Sequence, residues 1–135
     1  MRKLKVQLFT VSACILLLAS CTDENTSPTG DDRDNFTGTW TCSEQSTING
    51  SSTFSVTISK IGDLDSVSIK NFYGLGPNYS AIALISGGSI TIPNQSIQGG
   101  YTTYGDGLKS NSKINFTYYV NFSGVSDTVT AVYSK

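Results

Sequence analysis

The chain has 135 residues, no histidine and a formal net charge of −1. The missing histidine removes the commonest general base, proton shuttle and metal ligand. With nine lysine and arginine residues against ten acidic ones, the sequence offers no basic stripe for nucleic acid. We therefore expect a protein that is not an enzyme, uses no metal or other cofactor and does not bind nucleic acid.

The first 20 residues have the layout of a secretory leader. Arg2, Lys3 and Lys5 precede an apolar stretch, and small residues then lead directly to Cys21. The stretch is shorter than the ~20 apolar residues that a membrane-spanning helix needs. We therefore predict a signal peptide over residues 1–20.

The end of this leader, Leu18-Ala19-Ser20-Cys21, resembles the lipobox of bacterial lipoproteins. The resemblance implies that Cys21 carries lipid and becomes the first residue after cleavage. Two or three acyl chains would then hold the protein on a membrane without a spanning segment. An ordinary cleaved signal peptide is the alternative.

A tether is expected over residues 21–35. From Thr22 to Asn35 there are five acidic residues, one basic residue and no large apolar residue, a composition typical of disorder. Asp23-Glu24 resembles the acidic signal that follows the lipidated cysteine in surface lipoproteins of Bacteroidota, and a plain soluble spacer is the alternative. The resemblance implies the cell envelope and an outer-membrane anchor, and leaves periplasmic or surface orientation open.

Residues 36–135 are predicted to form one all-β domain. Apolar residues alternate with Ser, Thr and Asn, and no window shows a sustained helical period. Turn signals recur about every ten residues. They are Asn49-Gly50, Gly62-Asp63, Gly74 to Asn78, Gly87-Gly88, Pro93-Asn94, Asn111-Ser112 and Gly124. Gly105 and Gly107 lie within a strand, which suggests a bulge or the close approach of another backbone.

Eight or nine strands joined in this way predict an antiparallel meander closed into a barrel, with a β-sandwich as the alternative. Closure would remove the exposed strand edges that favour aggregation. The side chains expected inside are bulky, so we predict a largely packed interior with any ligand at the mouth or on the outer surface. They are Phe36, Trp40, Phe54, Ile58, Ile69, Ile114, Phe116, Tyr118 and Tyr133.

Gly38-Thr39-Trp40, at the start of the first strand, resembles the Gly-x-Trp motif of the calycins, which include lipocalins, fatty-acid-binding proteins and avidins. The resemblance implies that Gly38 and Trp40 belong to a barrel-closing motif. The whole chain is similar to small lipocalin-like lipoproteins of Bacteroidota. The basic partner of the tryptophan is reduced to Lys135, and the several tryptophans of a biotin pocket are missing. The resemblance therefore implies a fold rather than a ligand.

Candidate catalytic groups are few. Asp63 and Asp65 are close in sequence, but a glycosidase needs carboxylates on opposite sides of its substrate, so we expect both to be solvated turn residues. Cys42 falls on the apolar face beside Trp40 and has no histidine to activate it, so we expect a buried small hydrophobe. No catalytic residue is assigned.

Several aromatic residues lie at or near the predicted loops. Tyrosines beside amides and carboxylates can stack on sugar rings or anchor a protein interface, and rim packing is the alternative. The candidate ligand-binding residues are Tyr73, Tyr79, Tyr101, Tyr104 and Asp106, with Phe72 and Tyr119 nearby. Separately, Asp65-Ser66-Val67 and Asp127-Thr128-Val129 resemble the O-glycosylation pattern of Bacteroidota, which would modify Ser66 and Thr128.

Two functions fit these features. The first is a lipid-anchored binding module for a small apolar molecule or a glycan. The second is a protein-interaction module, either an accessory subunit of an outer-membrane complex or an inhibitor of a secreted hydrolase. A protruding, mobile loop at 72–78 would favour the second.

Overall fold

A computed structural model describes residues 30–135, and the leader, Cys21 and most of the predicted tether lie outside that range. Each of eight antiparallel strands pairs with its sequence neighbours, and β1 also pairs with β8 to close the barrel. The predicted meander and its closure are confirmed, and the sandwich is not adopted. The strands are β1 Gly38–Ser46, β2 Gly50–Lys60, β3 Ser66–Lys70, β4 Ser80–Ser86, β5 Ser89–Ile97, β6 Tyr101–Ser110, β7 Lys113–Phe122 and β8 Val125–Ser134.

The interior is filled by side chains. Strand alternation points one residue in two inward, and these inward residues form one apolar cluster. Every residue predicted to face inward is fully buried except Phe54, which is half-buried. All members of the cluster lie between Phe36 and Tyr133, so residues 30–135 contain a complete core and we expect them to fold without residues 1–29.

One end of the barrel is capped by a short 3₁₀ helix, Asp32–Asn35. Arg33 is buried, and its Nη1 donates to the carbonyl oxygens of Ile61, Gly62 and Ser66 at 3.2–3.3 Å. The Asp31 carboxylate in turn accepts from the Arg33 guanidinium at 2.7–3.0 Å. The expectation of disorder up to residue 35 is therefore wrong for residues 31–35. The composition of this segment shows only that apolar residues are absent. The segment is anchored by the hydrogen bonds of Arg33, and composition does not reveal these bonds.

Trp40 lies at the same capped end. It is 1% exposed, and its Nε1 donates to the Phe36 carbonyl oxygen at 2.7 Å. The Lys135 ammonium lies 4.3 Å from the centroid of the Trp40 ring, a cation–π contact, and donates to the Thr37 carbonyl oxygen at 2.6 Å. Gly38 has a φ of +113°, and a Cβ there would lie 3.2 Å from Lys135 Nζ. The Gly38 and Trp40 positions thus meet the chain's terminal lysine.

The break predicted at Pro93-Asn94 is instead a bulge within β5. The pairing register of β5 with β6 shifts between Ile92 and Gln95. The Gln95 side-chain amide accepts from Ile82 N–H at 2.8 Å and donates to the Ile82 carbonyl at 2.7 Å. This side chain replaces backbone bonds where the pairing of β4 with β5 has ended. Pairing with β6 resumes at Gln95 opposite Thr103, so residues 95–97 continue β5 and the barrel has eight strands rather than nine.

Gly105 marks the close approach of two strands. It faces inward on β6 opposite Tyr118, and a Cβ at this position would lie 2.5 Å from Tyr118 Cα and from the Thr117 carbonyl oxygen. Both of these are backbone atoms that cannot move aside. The close-approach interpretation of this glycine is confirmed.

We predict that Gly105→Ala destabilises the barrel by about 1–3 kcal/mol or more, because the added methyl group must push β6 and β7 apart. Chemical denaturation of the wild type and the variant measures this difference. Gly88→Ala is the matched control, since the nearest atom to its added Cβ lies 3.8 Å away. It should change stability by no more than about 0.5 kcal/mol, and an equal loss in both variants would contradict the explanation.

Candidate functional site

The end opposite the Trp40 cap, here called the mouth, is crossed by residues 71–79, the mouth loop. Its 3₁₀ turn is Phe72–Gly74. The Phe72 side chain is fully buried and packs on Tyr118 with ring centroids 4.8 Å apart. Phe72, which is next to the candidate residue Tyr73 in the sequence, is therefore part of the core and is not accessible to a ligand. The sequence shows that Phe72 is an aromatic residue near glycines, but it does not show that its side chain fills the end of the barrel.

The mouth loop contains strained backbone on both sides of Phe72. Asn71 and Tyr73 have φ values of 59° and 57°, in the left-handed region that is unfavourable for residues other than glycine. Asn71 is held by its own side chain, which donates to the Ser55 carbonyl at 2.7 Å and accepts from Gly76 N–H at 2.7 Å. Such strain, of order 1–3 kcal/mol per residue, persists only where surrounding contacts fix it.

Asp127 is the group that fixes Tyr73. Its carboxylate is 3% exposed and accepts from the hydroxyls of Tyr73 and Ser46, both at 2.5 Å. It also accepts from the Thr47 N–H at 2.9 Å and the Thr47 hydroxyl at 2.8 Å. Burial alone would raise the pKa of Asp127, but these hydrogen bonds outweigh it and the pKa is lowered. One carboxylate on β8 thus ties the β1–β2 turn to the mouth loop.

A cavity of about 310 Å³, here called the rim cavity, opens beside this carboxylate. Its apolar lining is unusually exposed, with Ile48 at 52%, Phe122 at 45% and Val125 at 56%. Tyr101 stacks on Phe122 at 4.5 Å, and Tyr79 meets Tyr101 edge-on at 6.4 Å. The lining residues are Ile48, Asn49, Tyr73, Tyr101, Val120, Phe122, Ser123, Val125 and Asp127.

The structure separates the candidate ligand-binding residues into two groups. Tyr73 and Tyr101 line the rim cavity, and Tyr79 packs against Tyr101. Tyr104 and Asp106 instead face outward on β6, where Tyr104 stacks on Tyr119 at 4.8 Å and Asp106 accepts from Thr91 at 2.9 Å. Strand alternation points every second β6 side chain away from the interior, and both residues lie on that outer side.

Two wider grooves follow the outer wall, with volumes of about 500 and 680 Å³. Ser, Thr and Asn from paired strands line much of both grooves. Phe116 lines both as well, and the larger one also contains the exposed Leu108. Asp106 lines the larger groove, but its carboxylate is exposed and already bonded to Thr91. The rim cavity is the better candidate because aromatic faces, exposed aliphatic side chains and a buried carboxylate converge there.

The proposed modification sites differ in their surroundings. Ser66 is half-buried beside the exposed Asp65, and its carbonyl oxygen accepts from Arg33. Thr128 is half-buried beside the buried Asp127, and its backbone exchanges hydrogen bonds with Thr47 at 3.1 Å. Glycosylation of Ser66 and Thr128 stays a prediction.

Sequence reasoning missed a second buried carboxylate, Glu44 on β1. It is 6% exposed and accepts hydrogen bonds from the Tyr118 hydroxyl and, at 3.0 Å, from Ser52. Burial raises the pKa of Glu44 despite these two bonds, and the nearby Asp127 contributes. Strand alternation places Glu44 inward, and this pattern could have revealed it. Its partner Tyr118, on β7 beyond the neighbouring strand β8, could not be read from the sequence.

Other titratable groups offer little chemistry. Tyr133 is fully buried, and its hydroxyl has no hydrogen-bond partner within residues 30–135. Cys42 is buried as expected, and burial raises the pKa of its thiol, so the reactive thiolate is disfavoured. Asp63 and Asp65 are exposed in the β2–β3 turn. In the part of the chain that the structure describes, no three acidic or cysteine side chains are grouped as a metal site would require, and no helix has the length and apolarity to cross a membrane.

No protein-family model matches the chain, and no curated protein matches it significantly.

We predict opposite pH dependences for Asp127→Asn and Glu44→Gln. Asp127 has a lowered pKa, so its contribution is complete above its ordinary value of 3.8 and is lost as the pH falls below that value. Asp127→Asn should lower the free energy of unfolding by about 2 kcal/mol at pH 7 and by less in acid.

Glu44 has a raised pKa, so the wild type loses stability as the pH rises above 4.5. Glu44→Gln should not show this loss of stability, and at pH 7 the variant should be more stable than the wild type.

Denaturation curves collected between pH 2 and pH 8 measure both effects. Asp106→Asn, an exposed carboxylate with one hydroxyl partner, is the control and should change stability by no more than about 0.5 kcal/mol. Parallel pH profiles for the wild type and both variants would contradict the assigned roles.

Proposed function

We propose that this protein is a non-enzymatic binding module that takes a small apolar molecule or a glycan at the rim cavity. The observation that carries the proposal is the exposed apolar lining of that cavity beside two tyrosines and a buried carboxylate. A volume of about 310 Å³ lies at the lower end of the range of ~300–1,000 Å³ for small-molecule sites. The closed barrel is compatible with such a module.

The packed interior favours the rim over the centre of the barrel. Phe72 occupies the position just inside the mouth, where it contacts Tyr118, and large side chains fill the space below it. A ligand therefore meets the outer faces of Ile48, Phe122 and Val125. Tyr73 and Tyr101 line the cavity and offer aromatic rings on which a ligand ring can stack, whereas the Tyr73 hydroxyl is already bonded to Asp127 and Asn49.

The absence of catalysis in this proposal is supported by the chain's own chemistry. The sequence contains no histidine. The two buried carboxylates, Glu44 and Asp127, are each occupied by hydrogen bonds from the protein. Neither is left as an available base beside the exposed part of the cavity.

The protein-interaction alternative loses one of its supports. Inhibition through a protruding loop needs the segment 72–78 to project, but Phe72 is buried and Leu75 packs partly against the core. The accessory-subunit version does not depend on this loop, so it stays the second candidate.

We predict that native mass spectrometry of residues 22–135 shows an extra mass that is lost on denaturation. Ile48→Ser should weaken this complex, because it removes an exposed apolar wall of the rim cavity. Leu64→Ser is the matched control, since Leu64 is 79% exposed in the β2–β3 turn at the other end of the barrel. A bare protein mass, or equal losses in both variants, would count against the rim cavity as the site.

The location is part of the same proposal: lipidation at Cys21 anchors the barrel to the outer membrane of the cell envelope. Cys21→Ser in the full chain should abolish incorporation of labelled fatty acid and release the protein from the membrane fraction. Cys14→Ser, within the leader, is the control and should leave both unchanged. Membrane association that persists in Cys21→Ser without label would contradict the lipid anchor.

A further inference from the structure

One strand of the barrel has an edge that is only partly covered. β2 pairs with β1 from Gly50 to Ile58 on one side. On its other side, β3 is five residues long and pairs only with Thr57–Lys60. Within residues 30–135, the β2 edge from Gly50 to Val56 therefore has no strand partner.

The direction of the backbone groups on this edge can be read from one contact. The Ser55 carbonyl oxygen accepts from the Asn71 side chain, so it points away from β1. Alternate residues of an antiparallel strand point their N–H and C=O groups to the same side. Ser51 and Thr53 therefore also direct both backbone groups away from β1, towards the uncovered side.

The mouth loop does not take up these groups. Its backbone hydrogen bonds are internal, from Phe72 to Tyr79, from Leu75 to Phe72 and from Tyr79 to Gly76. Ser51 and Thr53 are exposed. The edge thus offers two donors and two acceptors to another strand.

The edge also lacks the usual protection against pairing. Exposed edges are commonly shielded by lysine, proline, a bulge or an inward-pointing charge. From Gln45 to Ser59 the chain contains no charged residue and no proline. The pairing of β1 with β2 is also continuous, without a bulge.

We propose that this edge pairs antiparallel with the same edge of a second copy of the chain, so that Ser51 lies opposite Thr53 of the second copy. In this register each of the two residues exchanges both backbone hydrogen bonds, and the bond from Asn71 to Ser55 is kept. The two-fold axis passes beside Ser52, which gives the closed, symmetric contact typical of homodimers.

The edge fits a second copy because it is self-complementary. A strand added here needs small hydroxyl residues on the outer side and no charge, and Ser51, Thr53 and Ser55 give β2 that composition. Hydroxyl pairs across neighbouring strands are favourable. The domain from Phe36 to Lys135 has equal numbers of lysines and acidic residues, and the acidic excess of residues 31–34 lies at the capped end, away from this edge. This inference does not depend on the rim cavity holding a ligand.

Sedimentation velocity of residues 30–135, from micromolar to millimolar concentration, tests the proposal. The average mass of the wild type should rise towards twice that of the single chain. Hydrogen exchange at Ser51 and Thr53 N–H should slow at the high concentration, while the exposed turn at Gly87-Gly88 stays unchanged. Thr53→Lys should keep the protein monomeric, because it places a charge at the edge.

Thr41→Lys is the matched control. Thr41 is exposed on the same wall, and its substitution by lysine adds the same charge. Thr41 is not at an open edge, however, because it pairs with Ser55 on one side and with Ser134 on the other. It should associate as the wild type does. Thr53→Pro removes an N–H that points away from β1, and it should also stay monomeric if folded. A wild type that is monomeric throughout, or association that survives Thr53→Lys, would overturn the proposal.

Discussion

The pairing of β1 with β8 closes the sheet into a barrel and thereby sets how much space the interior has. Thr41–Ser46 of β1 meets Val129–Ser134 of β8, so the two ends of the domain close the sheet on itself. A closed eight-strand barrel is only wide enough for side chains or one small ligand. Bulky inward residues such as Trp40 and Tyr118 fill it, which leaves only the ends and the outer wall for the binding proposed above.

The short length of β3 links the two proposed binding surfaces. Because β3 ends at Lys70, the chain leaves the wall there and crosses the mouth, which buries Phe72 and brings Tyr73 to Asp127. The same early end leaves β2 without a neighbour from Gly50 to Val56. Both the rim cavity and the uncovered edge of β2 thus result from the early end of β3.

Buried polar groups explain how the mouth keeps its shape. The strained backbone of Tyr73 is tolerated because its hydroxyl bonds to Asp127, which also holds Ser46 and Thr47 of the β1–β2 turn. Asp127 is 54 positions from Tyr73 in the chain and about 80 positions from Ser46 and Thr47. A loop fixed in this way presents the rim side chains in a defined arrangement, which would lower the entropy cost of the proposed binding.

Alternation and turn residues are local signals, so the meander, the inward residues and the close approach at Gly105 could be predicted from the sequence. The buried position of Phe72, the hydrogen bonds of Asp127 and Glu44 and the anchoring of Arg33 could be seen only in the folded barrel. The partners of these side chains lie on distant strands, and a local pattern does not say which groups closure brings together. The two groups of tyrosines show the same division. Alternation could place Tyr104 outward on β6, but only the folded mouth joins Tyr73 and Tyr101.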